Sequence, residues 1–305
     1  MRVCIFGAGS IGSCIGGMLA RDHEVTLIGR KANVDAVSAG GLILEGVVSR
    51  KVKVDARESV ANLPPPDLLI VTTKAYATAN VIEECREWTH GDTIALTLQN
   101  GLGNLEQLRC WKGESAIGGT TTMGASMVSP GVVQVVDLGK TVLGSDLNPA
   151  SARSIASALR VSGIPTRTTR QIRGEIWSKA IVNASINPVS AILRLSNGEL
   201  IKSETVSRLL MDICRECELV AEGCGISLPH KSMYLRMRSI ARQTAPNRSS
   251  MLRDIELGRR TEIRNINGEI CRMGRDLAIP TPLNAALMSV VESLENRKGG
   301  ERLIS

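Results

Sequence analysis

The stretch "RVCIFGAGSIGSCIGGMLAR", residues 2–21, decides the fold. Arg2–Phe6 is a short apolar run that reads as a strand. A helical pattern over 10–21 follows it. Between them sits Gly7-Ala8-Gly9-Ser10-Ile11-Gly12. A bare GxGxxG is a weak signal, but between a first strand and a first helix it marks a dinucleotide-binding turn. The first glycine permits the tight turn, the second lets backbone approach a pyrophosphate, and the third lets helix and strand pack closely. The helix N-terminus adds unpaired N–H groups for phosphate. The bland alternative is a glycine-rich turn with no ligand.

Working outward, Glu24–Ile28 reads as the second strand and ends at Gly29-Arg30-Lys31. A site for NAD usually carries Asp or Glu here, for the ribose 2′-hydroxyl. Two cations instead suit a 2′-phosphate, which arginine can grip with two hydrogen bonds. NADPH is therefore expected over NADH, against the reading of two surface cations. An apolar run over 68–72, a helix over 78–89 and a strand over 93–98 continue a βαβαβ order, which predicts a parallel doubly wound sheet. Lys74 and Asn100 follow two of these strands, where open sheets bind ligands. Either could equally be a solvated or turn residue. Shorter strands over 117–120, 132–136 and Thr141–Gly144 suggest that the sheet finishes antiparallel, before a helix over 151–162.

Past residue 168 the strand signal stops. Helices are expected over 172–187, 205–222, 231–241, 251–279 and 283–295. The expected organisation is α/β: a Rossmann-type nucleotide domain over 1–168 and an all-helical domain over 169–305, with no disordered tail beyond the last few residues.

The chain has 305 residues, 43 % hydrophobic, 22 % charged and only 2 % aromatic, with a net charge of +7. That suits a globular protein whose cores are aliphatic. Apart from the Arg and Lys residues around 236–275 the charge is scattered, without a basic run interleaved with aromatics, so nucleic acid is not the expected partner. No segment reads as a signal peptide or a membrane span. The eight cysteines show no disulfide-framework spacing, so a cytoplasmic, reducing setting is expected. Cys214 and Cys217 form a lone CxxC within a helical pattern. Zinc would need further ligands and only three histidines exist, so helix packing is expected and no metal. The oligomeric state stays open, a homodimer included.

The helical half carries its own signal in "WSKAIVNASINP", residues 177–188. Lys179, Asn183 and Asn187 recur every four residues and so share one side of a helix. The rest of that helix is apolar and offers no charged outer face. Desolvation lowers a lysine's pKa, so Lys179 can work as a proton donor near neutrality. The carboxamides can hold a polar substrate beside it. Pro188 lacks the N–H that the Ala184 carbonyl needs, so the helix is expected to kink or end there. In "NRSSMLRDIELGRRTEIRNING", residues 247–268, Ser249 or Ser250 can cap the helix expected from 251. Glu262, among arginines, can be a surface ion pair.

These motifs together, "GAGSIG", "QNG" at 99–101, "WSKAIVNASINP", "NG" at 197–198 and "SSMLRD…TEI…ING" at 249–268, resemble the ketopantoate reductase family over nearly the whole chain. The resemblance implies reduction of 2-dehydropantoate to (R)-pantoate with NADPH, a step toward pantothenate and coenzyme A. It implies that Lys179 protonates the ketone and that Asn183, Asn187 and Asn197 bind substrate. Asn247, Arg248, Ser249 and Ser250 would hold the substrate, with Ser250 near its carboxylate. Asn100 would touch both ligands, and Lys74 and Ala125 would border the cofactor. Twelve residues of straight helix span about 18 Å, so Ser250 is assigned to substrate and Glu262 to the nicotinamide ribose. Arg264 stands where the family commonly has an acid. Rival readings are a reductase of another branched 2-oxo acid and a non-catalytic NADPH sensor.

Overall fold

The computed structural model describes residues 1–296, so the expected tail lies outside the described residues. It divides into two units, Met1–Gln99 with Gly103–Ile172, and Asn100–Leu102 with the described residues from Arg173.

The first unit holds twelve strands: β1 (Arg2–Phe6), β2 (Glu24–Ile28), β3 (Leu42–Gly46), β4 (Arg50–Val52), β5 (Asp55–Arg57), β6 (Leu68–Val71), β7 (Ile94–Thr97), β8 (Ala116–Thr121), β9 (Gly124–Ser129), β10 (Val132–Asp137), β11 (Thr141–Gly144) and β12 (Thr166–Thr168). Eight form one sheet in the order β12-β11-β8-β7-β6-β1-β2-β5. From β8 to β5 every pair is parallel. β11 runs antiparallel to β8, so the sheet does finish with a reversal. Its central strands alternate between two cores. Val3, Ile5, Leu68 and Ile70 enter one, while Cys4, Leu69 and Val71 enter the other. Burial on both faces explains why these strands read as unbroken apolar runs.

Helices α1 (Ser10–Leu19), α2 (Lys31–Gly40), α3 (Thr78–Cys85), α4 (Asn104–Lys112) and α5 (Pro149–Val161) belong to this unit. A second sheet of four strands, β4-β3-β10-β9, was not expected, and it takes β10, the strand expected over 132–136 at the end of the first sheet; α2, α4, β3 to β5, β9 and β12 were not expected either.

The second unit is helical: α6 (Ile172–Leu193), α7 (Asn197–Leu200), α8 (Glu204–Gly223), α9 (Met233–Gln243), α10 (Ser250–Glu256), α11 (Glu269–Asp276) and α12 (Pro282–Asn296). Two expectations fail here. First, of the kink or end expected at Pro188, the end does not occur, because α6 runs through to Leu193. The Ala184 carbonyl that Pro188 cannot satisfy accepts a hydrogen bond from Asn267 Nδ2 at 3.0 Å. A side chain from elsewhere thus replaces the absent backbone donor, and the local penalty of an internal proline is offset. Second, 251–279 is not one helix. α10 ends at Glu256, Gly258 turns with φ 61°, and a π-type turn over Arg264–Gly268 leads into α11. The straight-helix spacing between Ser250 and Glu262 therefore has no basis.

Asn267 is fully buried and also donates to Asn284 Oδ1 at 2.9 Å. Asn284 donates through Nδ2 to Glu216 Oε2 at 2.8 Å. Glu216 also accepts the Leu283 and Asn284 amides at 2.9 and 3.0 Å, capping α12 from α8. The amides freed at a helix start need such acceptors. Cys214 and Cys217 lie buried on α8, where Cys214 Sγ is 3.1 Å from Ser185 Oγ. No helix among the described residues is long and apolar enough to cross a membrane.

Candidate active site

The loop after β1 is held on three sides. Gly7 and Ala8 donate their amides to the Ile28 carbonyl at 3.0 and 2.8 Å, fastening the loop to β2. Gly7 has φ 116°, and a side chain there would meet the Thr73 amide at 2.6 Å. A Cβ on Gly12 would meet the Gly7 carbonyl at 2.2 Å. Thr72 Oγ1 donates to that carbonyl at 2.9 Å, joining the loop to β6. At Gly9 the opposite holds, because a Cβ there would enter open space. The amides of Ser10, Ile11 and Gly12 precede the first helical acceptor and keep no backbone partner among the described residues. Room at Gly9 beside three free donors fits a pyrophosphate. The Ser10 hydroxyl itself accepts the Met127 amide of β9 at 2.9 Å, which sets the strand carrying half-buried Ala125 beside the loop.

Arg30 caps α2 in an extended conformation. Asn33 and Val34 take the Arg30 carbonyl, leaving the amides of Lys31 and Ala32 free of backbone partners. Lys31 is engaged by Asp35 at 3.1 Å, while Arg30 has no ion pair among the described residues. Of the two cations, Arg30 is thus the better placed for a phosphate. Lys74 is half-buried where β6 leads into a short turn of helix. Beside it Gln99 Nε2 donates to the Thr73 hydroxyl at 3.1 Å and the Thr78 hydroxyl at 2.9 Å, fixing the strand ends.

In the helical unit, Lys179 is half-buried on α6. Burial lowers its pKa to about 8, against the upward pull of the Glu262 carboxylate. Glu262 is only 5 % exposed, so the surface ion pair that was the bland alternative for it is not its setting. It accepts from Asn100 Nδ2 at 3.3 Å. Asn100 is placed by the next two residues. The Leu102 amide bonds the Asn265 carbonyl at 3.0 Å, and a Cβ on Gly101, with φ 85°, would meet that same carbonyl at 2.5 Å. Asn100, Lys179 and Glu262 are therefore neighbours.

Asn183 and Asn187 follow on the same side of α6, and their carboxamides have no hydrogen-bond partner among the described residues. Eight residues of helix place Asn187 about 12 Å beyond Lys179. At that end Ser249 Oγ donates to the Asn187 carbonyl at 3.5 Å and accepts the Leu252 amide at 3.1 Å as the cap of α10. Ser249 is therefore the capping serine, and Ser250 is exposed beside it. Arg248 is ion-paired with Glu256.

Asn197 donates to Thr244 Oγ1 at 2.9 Å, its amide bonds the Asn247 carbonyl at 2.9 Å, and its Oδ1 is buried without a partner. Its visible work is to hold the segment that bears Asn247. Two residues went unread in the sequence, Asn33 and Asn267. The available signal was an asparagine inside a helix, where its propensity is poor. Arg264, the departure noted above, pairs with Glu292 at 2.7 Å.

A phosphate-ready loop on a parallel sheet, and a desolvated lysine among carboxamides on a helical unit, define a dinucleotide-dependent oxidoreductase. The family model described as ketopantoate reductase PanE/ApbA matches residues 3–147, and its C-terminal counterpart matches 171–295. The 2-dehydropantoate 2-reductase of Pyrococcus horikoshii is 36 % identical over 99 % of this chain and all of its own. That of Archaeoglobus fulgidus is 34 % identical over 97 % of this chain and 98 % of its own. Among solved structures, a PanE/ApbA family ketopantoate reductase from Ralstonia eutropha superposes with a TM-score of 0.91 at 33 % identity, covering 97 % and 99 % of the two chains. D-mandelate dehydrogenase, solved with NADH and anilino(oxo)acetate, gives a TM-score of 0.91 at 29 % identity over the same shares. The chain belongs to the ketopantoate reductase family.

Proposed function

We propose that the protein reduces the ketone of 2-dehydropantoate to (R)-pantoate, with NADPH as the reductant and Lys179 as the proton donor. The observation that carries this is the desolvated Lys179 beside Glu262 and Asn100, at the head of a carboxamide-lined helix side. NADPH supplies the hydride. Ser10, Ile11 and Gly12 bind its pyrophosphate through their amides, and Arg30, with Lys31 beside it, binds the 2′-phosphate. Lys74 and Ala125 border the cofactor. As negative charge grows on the ketone oxygen, Lys179 Nζ gives it a proton, which is most effective when the donor's pKa lies near the working pH. Asn183 and Asn187 orient the substrate's polar groups. Ser250, with Asn247, Arg248 and Ser249, meets its carboxylate end, and Asn197 holds that segment. Glu262 keeps Lys179 protonated, and Asn100 keeps Glu262 in place. Eight free thiols suit a cytoplasmic setting.

The pH dependence follows from the sign of the lysine shift. Lys179 acts in its protonated form, so kcat/KM for reduction is level below about 8 and falls as pH rises through that value. Glu262→Gln removes the charge that raises the lysine's pKa, so the falling limb moves to lower pH. A limb that stays in place in this variant separates Glu262 from the lysine.

The deciding assay is NADPH oxidation with ketopantoate, run beside shorter, longer and aryl 2-oxo acids. The likeness to D-mandelate dehydrogenase favours one second reading, reduction of an aryl 2-oxo acid. A higher kcat/KM for such a substrate would select it. Arg30→Ala is expected to raise KM for NADPH about tenfold while leaving NADH within about twofold, the loss of one charge-assisted pair. Equal effects on both would take the 2′-phosphate away from Arg30.

A further inference from the structure

Asn33 lies in the first turn of α2, three residues past Arg30. Its Nδ2 donates to the Ala8 carbonyl at 3.0 Å, and its Oδ1 accepts the Gly131 amide at 2.8 Å. Ala8 is in the phosphate loop, and Gly131 is in the turn from β9 to β10. One carboxamide therefore joins three pieces of chain that are distant in sequence. Val37 is the one fully buried residue of α2, and Val34 packs partly buried against the same core. That apolar contact is non-directional and does not by itself set the first turn. The polar clasp at Asn33 adds a directional tie to the bonds that Gly7 and Ala8 make to the Ile28 carbonyl.

We propose that Asn33 is a positioning residue that sets the spacing between the pyrophosphate loop and Arg30, and through that spacing the preference for NADPH over NADH. The proposal rests on the NADPH reading above. Two anionic groups of one rigidly spaced ligand must meet two separate elements, the N-terminus of α1 and the N-terminus of α2. When the first is engaged, the second contact is intramolecular, and its strength depends on the span being right. If α2 is free to shift against Ala8, each subsite stays intact but the two no longer match the ligand together. NADH makes no contact with Arg30 through a phosphate, so it is insensitive to that mismatch.

The test uses the full-length protein and direct titration calorimetry with NADP⁺ and NAD⁺, beside steady-state kinetics and a thermal midpoint. Asn33→Ala is expected to weaken NADP⁺ about tenfold, equivalent to ~1.4 kcal/mol, and to change NAD⁺ less than about twofold. KM for NADPH rises in step, while kcat at saturation stays within about twofold. In an Arg30→Met background the same change is expected to shift the NADP⁺ Kd less than about twofold, because the partner contact is already gone. Asn33→Ser, whose hydroxyl is too short to span both partners, repeats the measurement if the alanine variant folds poorly. Equal weakening of NADP⁺ and NAD⁺, or a lowered thermal midpoint with both Kd values unchanged, overturns the proposal. Wild-type protein that binds NADP⁺ no more tightly than NAD⁺ overturns the NADPH reading itself, and this inference with it.

Discussion

Lys179→Ala is expected to lower kcat for ketone reduction by about a thousandfold, within the range general-acid groups contribute, while NADP⁺ binding changes less than about threefold. The lysine stands on α6, away in sequence from the glycine loop and Arg30, so the groups assigned to the cofactor stay untouched. What is lost is the proton delivered as charge builds on oxygen. Water entering the vacated space is a weaker, unoriented acid. Lys179→Arg sharpens the test. Guanidinium keeps the positive charge but does not release its proton near neutrality, so charge stabilisation alone would rescue activity in the arginine variant and proton transfer would not. Near-normal turnover in the alanine variant would remove Lys179 from the reaction.

Asn267→Leu is expected to destabilise the protein by about 3 kcal/mol, because two buried acceptors lose their donor and each costs about 1–3 kcal/mol when left unmade. Those acceptors are the Ala184 carbonyl and Asn284 Oδ1. The second still has Cys217 Sγ at 3.6 Å, a weak donor, so the carbonyl carries more of the loss. Pro188→Ala restores a backbone N–H four residues after Ala184. In the wild-type background it changes little, since the Ala184 carbonyl is already satisfied. Combined with Asn267→Leu it recovers about 1 kcal/mol, one net hydrogen bond. Thermal midpoints of the four proteins measure this coupling. Additive effects of the two substitutions would show that Asn267 does not stand in for the missing amide.

The first sheet was readable because its central strands are apolar without interruption and its first turn carries three glycines at fixed offsets. The second sheet was not. β4 is three residues, "RKV", and such short polar strands carry no alternation to detect. α2 escaped for a related reason, since one buried residue in ten leaves no hydrophobic period. At Pro188 the local rule was sound and the outcome differed, because the compensating group lies 79 positions away in sequence, at 267. Gly258 was visible, but nothing local told a loosened helix from a broken one. That Lys179, Asn183 and Asn187 share one side of a helix was legible from spacing alone. Glu262 was not, because its arginine neighbours suggested solvent, whereas the turn after Gly258 brings it inward to Asn100.

The bond between Asn267 and Ala184 also bears on the order in which the chain is made. Its two ends are 83 residues apart. A ribosome adds about 5–20 residues per second, so several seconds separate the emergence of Ala184 from that of its donor. Until then the turn around Pro188 has no partner for its carbonyl and the carboxamide side of α6 has no fixed end. Lys179 is thus synthesised early, while the last turns of its helix settle late. Ribosome-bound chains halted before and after residue 267 should differ in protease protection around 185–193.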